Sequence, residues 1–350
     1  MKIYDSIVIG AGQSGLATSD YLKKSELNFL VLEASKTTAG SWPKYYDSLT
    51  LFSPAKYSSL PGYPFPGDPD RYPTKEEVIS YLLDYANHFK FNIYAENIVS
   101  DVLKKEDVFS IITKDGSEFK SKTVISATGA FNYPFIPEIE GIDIFRGKKV
   151  HSSQYRNVTD FKNQRIIVVG GGNSAVQIAY ELSEVSNVTI ASRNPIAFVP
   201  QKILGKDVHF WFKVFGVDWL PLKKFLSNNT SVLDSGIYKQ AILNKRPEHK
   251  MMFKSFTKNG VVWGDGTKEN IDTVVFATGY RPNVLYLDSL TNASKEGIPI
   301  QVKGISQTIP GLYFIGLEWQ RSFSSATLRG VGTDAKYIVN NLKHRILNEY

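Results

Sequence analysis

The 350-residue chain contains no cysteine. Disulfides, thiolate nucleophiles, iron–sulfur clusters and Cys-ligated zinc are therefore excluded. Any redox chemistry has to place its electrons on a bound cofactor. Long apolar runs are missing too. No window approaches the roughly 18 to 20 uninterrupted apolar residues of a membrane span, so stable membrane insertion is not expected. The stretch Met1 to Asp5 has an acid by residue 5 and runs directly into a strand pattern, unlike a secretory signal. Cytoplasm is the default compartment these absences leave. Runs of like charge are also missing. The 41 Lys and Arg outnumber the 34 Asp and Glu, a net charge of +7, yet they are scattered with no run of five or six. A solvated surface accounts for this better than a nucleic-acid face, and no Cys/His finger spacing or RNP-like segment occurs. The histidines (His88, His151, His209, His249, His344) form no HExxH or facing i, i+4 pair, so no metal site is expected.

What remains is a globular composition, 42% hydrophobic and 21% charged, long enough for two ordinary domains. Two glycine clusters organise it. Residues 3–9 end in an apolar strand-type run, and Gly10-Ala-Gly12-Gln-Ser-Gly15 follows at once. Leu16, Ala17, Tyr21 and Leu22 then recur at helical spacing, and a second strand, 29–32, ends at Glu33. Strand, glycine turn, helix, strand and acid together make the dinucleotide-binding pattern specific. Gly10 permits the tight turn, Gly12 a close approach to pyrophosphate, and Gly15 close helix–strand packing. The helix N-terminus offers free N–H groups to phosphate. Glu33 is expected to accept hydrogen bonds from a ribose diol.

The pattern recurs. Residues 165–169 read as a strand, Gly170-Gly-Gly172-Asn-Ser-Ala175 as the turn, 176–182 as a helix and 187–191 as the second strand. Arg193 stands where Glu33 stood, each 23 positions after the first glycine of its turn. An acid there prefers a free 2′-hydroxyl; a guanidinium prefers a 2′-phosphate. The first site thus reads as built for FAD and the second for NADPH. A shorter repeat agrees: Lys122 to Gly129 and Asp272 to Gly279 are both apolar strands closing in Ala-Thr-Gly. Residues 75–89 read as a helix opened by a capping box, Thr74 with Glu77. Residues 98–125 alternate as strands around a turn at 114–116. After a strand at 312–315, a C-terminal helix is expected to begin near 332–335. The expected fold class is α/β, with two Rossmann-like dinucleotide-binding domains. A discontinuous FAD domain, 1–156 and 281–350, would carry the NADPH domain, 157–280, as an insertion.

With these features in place the chain resembles the flavin-containing monooxygenases, in particular the small bacterial members. Their discriminating motif, F-x-G-x-x-x-H-x-x-x-(F/Y), is present as Phe145, Gly147, His151 and Tyr155. Baeyer–Villiger relatives carry Trp followed by Pro or Asp at its end; here Tyr155 is followed by Arg156. Gly40-Ser-Trp42, 51–54, 60–65 and 316–334 are also similar, so the resemblance spans nearly the whole chain. It implies that NADPH reduces FAD and that O2 then forms a C4a-(hydro)peroxyflavin. That species would oxygenate a small sulfide, amine or ketone while the closed site excludes water. The protein would supply position, dryness and hydrogen bonds. His151 is expected at the domain junction, with no catalytic role. The cofactor-binding set is expected to be Gly10, Gly12, Gln13, Ser14, Gly15, Glu33, Ala34, Gly40, Ser41, Trp42, Val99, Ala127, Thr128, Gly129, Gly170, Gly172, Asn173, Ser174, Gln177, Ser192, Arg193, Ala277, Thr278, Gly279, Gly316 and Gln320.

Two departures and one unusual segment bear on function. Many members of the family carry an asparagine over the flavin; here Phe52 falls there, and Phe cannot hydrogen-bond a peroxide. Either Ser53 substitutes or the enzyme leaks hydrogen peroxide, so Phe52 and Ser53 are the expected catalytic pair. Some small relatives lack a basic residue after the second fold's strand and use NADH as readily; Ser192 and Arg193 here predict a preference for NADPH. Segment 203–226 is aromatic and basic. It reads as a wall or lid of the cleft, a contact in a homodimer, ordinary core, or an interfacial membrane element that Gly216 and Pro221 weaken. The alternative function is an NAD(P)H-dependent flavin reductase or oxidase passing electrons to a quinone, another acceptor or O2. A non-catalytic nucleotide sensor is a third.

Overall fold

A computed structural model describes residues 2–220, 231–282, 284–290, 292–295 and 297–349. Residues 221–226 of the aromatic segment lie outside the described residues.

Each glycine cluster sits where a buried parallel strand turns into a helix. Strand Ile3–Ile9 is buried at Ile7 and Val8 alike, the two-sided burial of a sheet covered on both faces. It pairs in parallel with Phe29–Leu32 on one side and Glu118–Ser126 on the other. Leu312–Phe314 adds in parallel beyond Glu118–Ser126. The sheet has nine strands, ordered Gln301–Val302, Ile305–Ser306, Leu312–Phe314, Glu118–Ser126, Ile3–Ile9, Phe29–Leu32, Ile93–Tyr94, with Val99–Lys105 and Val108–Thr113 attached as a hairpin. The second sheet has five parallel strands ordered Glu248–Met251, Asn187–Ser192, Arg165–Val169, Thr273–Phe276, Lys148–His151. Its edge strand Lys148–His151 is drawn from upstream of residue 157. This is the two-Rossmann α/β class that the repeat implies.

Helix Gln13–Lys24 follows the first turn and helix Asn173–Leu182 the second. Helix Lys75–Phe89 opens with the full capping box: Glu77 N–H donates to Thr74 Oγ1 and Thr74 N–H to Glu77 Oε2. The C-terminal helix spans Leu328–Glu349, four residues earlier than its glycines suggest. Thr327 O already accepts from Gly330 and Val331 N–H. Gly332 is not a start signal but a contact, since a Cβ there would lie 2.7 Å from the Pro61 ring. The face bearing Val331, Ala335, Ile338 and Leu342 packs with Leu16, Ala17 and Leu22 of the first helix in one buried cluster. Among the described residues no helix is long and apolar enough to cross a membrane.

Candidate active site

Both glycine turns open on one cavity of about 2300 Å³. That is more than twice the upper end of an ordinary ligand pocket, roughly 1000 Å³, and suits two dinucleotides and a substrate together. The turns have matching construction. Gly10 has φ +105° and Gly170 φ +143°, both in the range that favours glycine. A Cβ on Gly10 would lie 2.9 Å from Ala127 O, and one on Gly170 would lie 2.4 Å from Ala277 O. Ala127 N–H donates to Ile9 O and Ala277 N–H to Val169 O, both at 2.8 Å. The two Ala-Thr-Gly strands therefore recur for a physical reason. Each ends by laying its alanine carbonyl against the first glycine of a turn, where a larger residue would collide.

Around the first turn, Glu33 is buried and its carboxylate faces the glycines. Its Oε2 accepts from Ala11 N–H at 2.6 Å and its Oε1 from Ser35 N–H at 2.8 Å. The Ser35 hydroxyl also donates to Oε1. Of the roughly four lone-pair positions of a carboxylate, about one is left, enough to accept from a ribose hydroxyl. Gly40 backs onto Gly12: a Cβ on Gly40 would lie 2.8 Å from Gly12 Cα. Trp42 Nε1–H donates to Gln13 Oε1 at 3.1 Å, and Gln13 Nε2–H donates to Ala326 O. Gln13 thus ties the turn to Trp42 and to the approach of the last helix.

Around the second turn, Arg193 lies on the cavity wall, exposed, with no acidic partner among the described residues. Lys254 lines the same cavity; nothing in its local sequence marks it. Ser192 is less free. Its Oγ donates to Asn194 O at 2.6 Å and sits 2.8 Å from His249 Nε2, which is then the donor. Burial holds the His249 ring below its ordinary pKa, so a neutral ring donating one hydrogen bond fits. Asn173 accepts from Leu233 N–H at 3.1 Å.

The cavity gathers Gly10, Gly12, Gln13, Ser14, Glu33, Ala34, Gly40, Ser41, Trp42, Phe52, Ser53, Val99, Ala127, Thr128, Gly129, Gly170, Gly172, Asn173, Ser174, Ser192, Arg193, Ala277, Thr278, Gly279 and Gly316. Gly15, Gln177 and Gln320 do not line it. Gly15 packs behind the turn, where a Cβ would fall 1.9 Å from Gly10 O. The Gln177 amide oxygen accepts from Tyr46 OH. Gln320 is buried and braces its own loop, donating to Phe314 O at 2.9 Å. Phe52 lines the cavity, and its carbonyl accepts from Gln201 Nε2–H at 2.9 Å. Ser53 Oγ is 2.8 Å from Ser58 Oγ. His209, Phe212 and Val217 of the aromatic segment also line the cavity.

The fingerprint residues stand back from the cavity. The Phe145 ring occupies the space beside Gly147, whose added Cβ would lie 2.3 Å from it. His151 Nε2 donates to Gly279 O at 3.0 Å, while Nδ1 accepts from Ser153 N–H at 3.1 Å. Burial lowers its pKa, partly offset by the bond to Gly279. Tyr155 OH donates to Glu181 Oε2 at 2.9 Å. These contacts fasten the second sheet to its own Ala-Thr-Gly strand and helix.

A family profile described as Pyridine nucleotide-disulphide oxidoreductase matches residues 7–316. The Bacillus subtilis protein called uncharacterized oxidoreductase CzcO is 36% identical over 97% of this chain and 99% of its own. A probable indole-3-pyruvate monooxygenase of Arabidopsis thaliana, YUCCA9, is 32% identical over 96% of this chain and 88% of its own. The solved flavin-containing monooxygenase of Stenotrophomonas maltophilia superposes with a TM-score of 0.87 at 29% identity, covering 99% of this chain and 100% of that one.

Proposed function

The chain belongs to the pyridine nucleotide-disulphide oxidoreductase family, and from that premise we propose that it is an NADPH- and FAD-dependent monooxygenase. Its relatives include flavin monooxygenases, and it is itself a flavoprotein oxidoreductase. Disulphide exchange through its own thiols is excluded, because the chain has no cysteine.

The observation that carries the reading is the unlike pair of ribose-side groups on one cavity, buried Glu33 and exposed Arg193. The nine-stranded sheet around Ile3–Ile9 would hold FAD, and the five-stranded sheet around Arg165–Val169, with its edge strand Lys148–His151, NADPH. Gly10, Gly12 and the start of helix Gln13–Lys24 would receive the FAD pyrophosphate, with Glu33 on the ribose diol. Gly170, Gly172 and helix Asn173–Leu182 would receive that of NADPH, with Arg193 on the 2′-phosphate. When bound, the pair would supply hydride reduction and oxygen activation, delivering one atom of O2 to a small sulfide, amine or ketone. The chain's own contribution is geometry and dryness. Phe52, Phe212 and Phe323 present apolar surface to the cavity, which limits water at the reacting centre. Ser53 is the hydroxyl nearest in sequence to Phe52 for a hydrogen bond there.

The test is turnover with NADPH, ¹⁸O2 and methyl phenyl sulfide. Label in the sulfoxide is the expected result. NADPH consumption that yields only hydrogen peroxide overturns the reading in favour of a reductase or oxidase.

A further inference from the structure

The hairpin and helix from Lys202 to Val214 carry a buried polar group that holding two nucleotides does not need. Asp207 Oδ1 accepts from His209 Nδ1–H at 2.7 Å and from His209 backbone N–H at 2.9 Å. Its Oδ2 accepts from Tyr72 OH at 2.5 Å and from Gln201 Nε2–H at 2.9 Å. Burial pushes the Asp207 carboxyl up, but the hydrogen bonds from His209, Tyr72 and Gln201 outweigh it and hold the group at about 2. An ionised carboxylate accepts only, so Nδ1 of His209 bears a proton toward Asp207, and Nε2 is the ring nitrogen left to take or give one.

His209 is 2% exposed yet lines the large cavity. Its Nε2 has no hydrogen-bond partner among the described residues. Nor is it one of the sealed, unpartnered side-chain atoms found there, which are Ser6 Oγ, Arg321 Nε and Asp334 Oδ2. It therefore opens on the cavity. The rings beside it form a continuous row. Phe212 meets His209 edge-on at 5.6 Å, Phe323 meets Phe212 at 5.6 Å, and Trp319 meets Phe323 at 5.4 Å. Phe212, Phe323 and Trp319 line the same cavity. Gln201 ties this group to the expected flavin side, since its amide also donates to Phe52 O.

We propose that His209 is a catalytic base in this cleft and that the substrate is an arylalkyl amine. The aromatic row would take the aryl group, and Nε2 would take a proton from the ammonium. The proposal rests on the monooxygenase reading. An N–H bond of the ammonium breaks and an Nε2–H bond forms. The electron pair stays on the substrate nitrogen, which becomes the nucleophile that oxygen transfer requires. The positive charge moves to the imidazole beside Asp207, and the proton leaves to solvent after the product. Nothing is oxidised or reduced in this step. A protonated amine has no lone pair to offer, whereas a sulfide needs no such base. The titratable groups facing the ring are Asp207, Tyr72 through Asp207, and Tyr57, stacked at 6.3 Å. Lys56, paired with Asp70, acts on Asp207 through space. Arg329, on the same cavity, is paired with Asp218 at 2.9 Å.

The test uses the FAD-loaded enzyme with benzylamine and methyl phenyl sulfide. His209→Asn keeps an amide donor for Asp207 and removes the base. The ratio of kcat/KM for benzylamine to that for the sulfide should fall on the order of 100-fold at neutral pH, and the deficit should shrink as alkaline pH frees the amine. Asp207→Asn should lower the ratio in the same direction. An unchanged ratio overturns the proposal. If neither compound is oxygenated, the monooxygenase reading fails, and a second arm still decides the base. The nitrogen-15 ring signals of His209, assigned by their loss in His209→Asn, should move to the imidazolium form when benzylamine binds. Ring signals that stay neutral in the bound complex overturn the proposal.

Discussion

At the first turn the third glycine has no room to be anything else: a Cβ on Gly15 would fall 1.9 Å from Gly10 O. At the second turn Ala175 occupies that place, fully buried, and the opening glycine is more extended, φ +143° against +105°. The same contrast continues outward. Glu33 is buried and already accepts backbone N–H groups, whereas Arg193 is exposed and has no acidic partner among the described residues. The first half is tightly built, and the acid proposed to meet a ribose is held by the fold itself. The second is looser, and Arg193, proposed to meet the 2′-phosphate, lies exposed on the cavity wall. That difference suits a flavin kept through many turnovers and a nicotinamide that must exchange.

The largest expected effect breaks the tight half. Gly15→Ala should abolish flavin retention and cost more than the roughly 1–3 kcal/mol of ordinary overpacking, because backbone must move. Ala175→Gly should cost only about 1 kcal/mol, the helix penalty of glycine. Flavin content and thermal melts of the two variants measure the asymmetry, and equal losses would remove it. Next, Arg193→Ala should raise the KM for NADPH roughly tenfold to a hundredfold, the worth of a hydrogen bond between charged groups. The KM for NADH should move far less. Equal effects on both nucleotides would argue that the guanidinium touches no 2′-phosphate. A smaller effect is expected at Phe52. Phe52→Asn should lower the share of NADPH turnover that appears as hydrogen peroxide, by a few-fold at most if one hydrogen bond of about 1 kcal/mol is gained. No change would take Phe52 away from the reacting centre.

Backbone demands were legible in the sequence; side-chain commitments over long distances were not. Gly10, Gly170 and the two Ala-Thr-Gly ends are readable because positive φ and close approach permit few residues. Their partners also follow at regular offsets. The capping box of Thr74 and Glu77 is readable for the same local reason. Gln177 and Gln320 stand at plausible positions beside the glycine turn and the last strand, yet neither lines the cavity. The Gln177 amide oxygen accepts from Tyr46 OH and the Gln320 amide donates to Phe314 O, contacts that no spacing reveals. The reverse holds for Gln201, Asp207 and His209. Their neighbours Phe52 and Tyr72 are more than a hundred residues away, so the aromatic segment could be suspected as a wall but its polar centre could not. Gly332 misled for a related reason, since it answers to Pro61 across the fold and not to its own helix.

The central claim is that one cavity joins a tight flavin cradle to a loose cradle for a 2′-phosphorylated nicotinamide nucleotide. Anaerobic mixing of the flavin-loaded protein with NADPH and, separately, NADH, while following the flavin absorbance, tests it most directly. Complete bleaching that half-saturates at a concentration at least tenfold lower for NADPH is the expected result. Flavin that neither nucleotide bleaches, or that both bleach at the same concentration, would contradict the account.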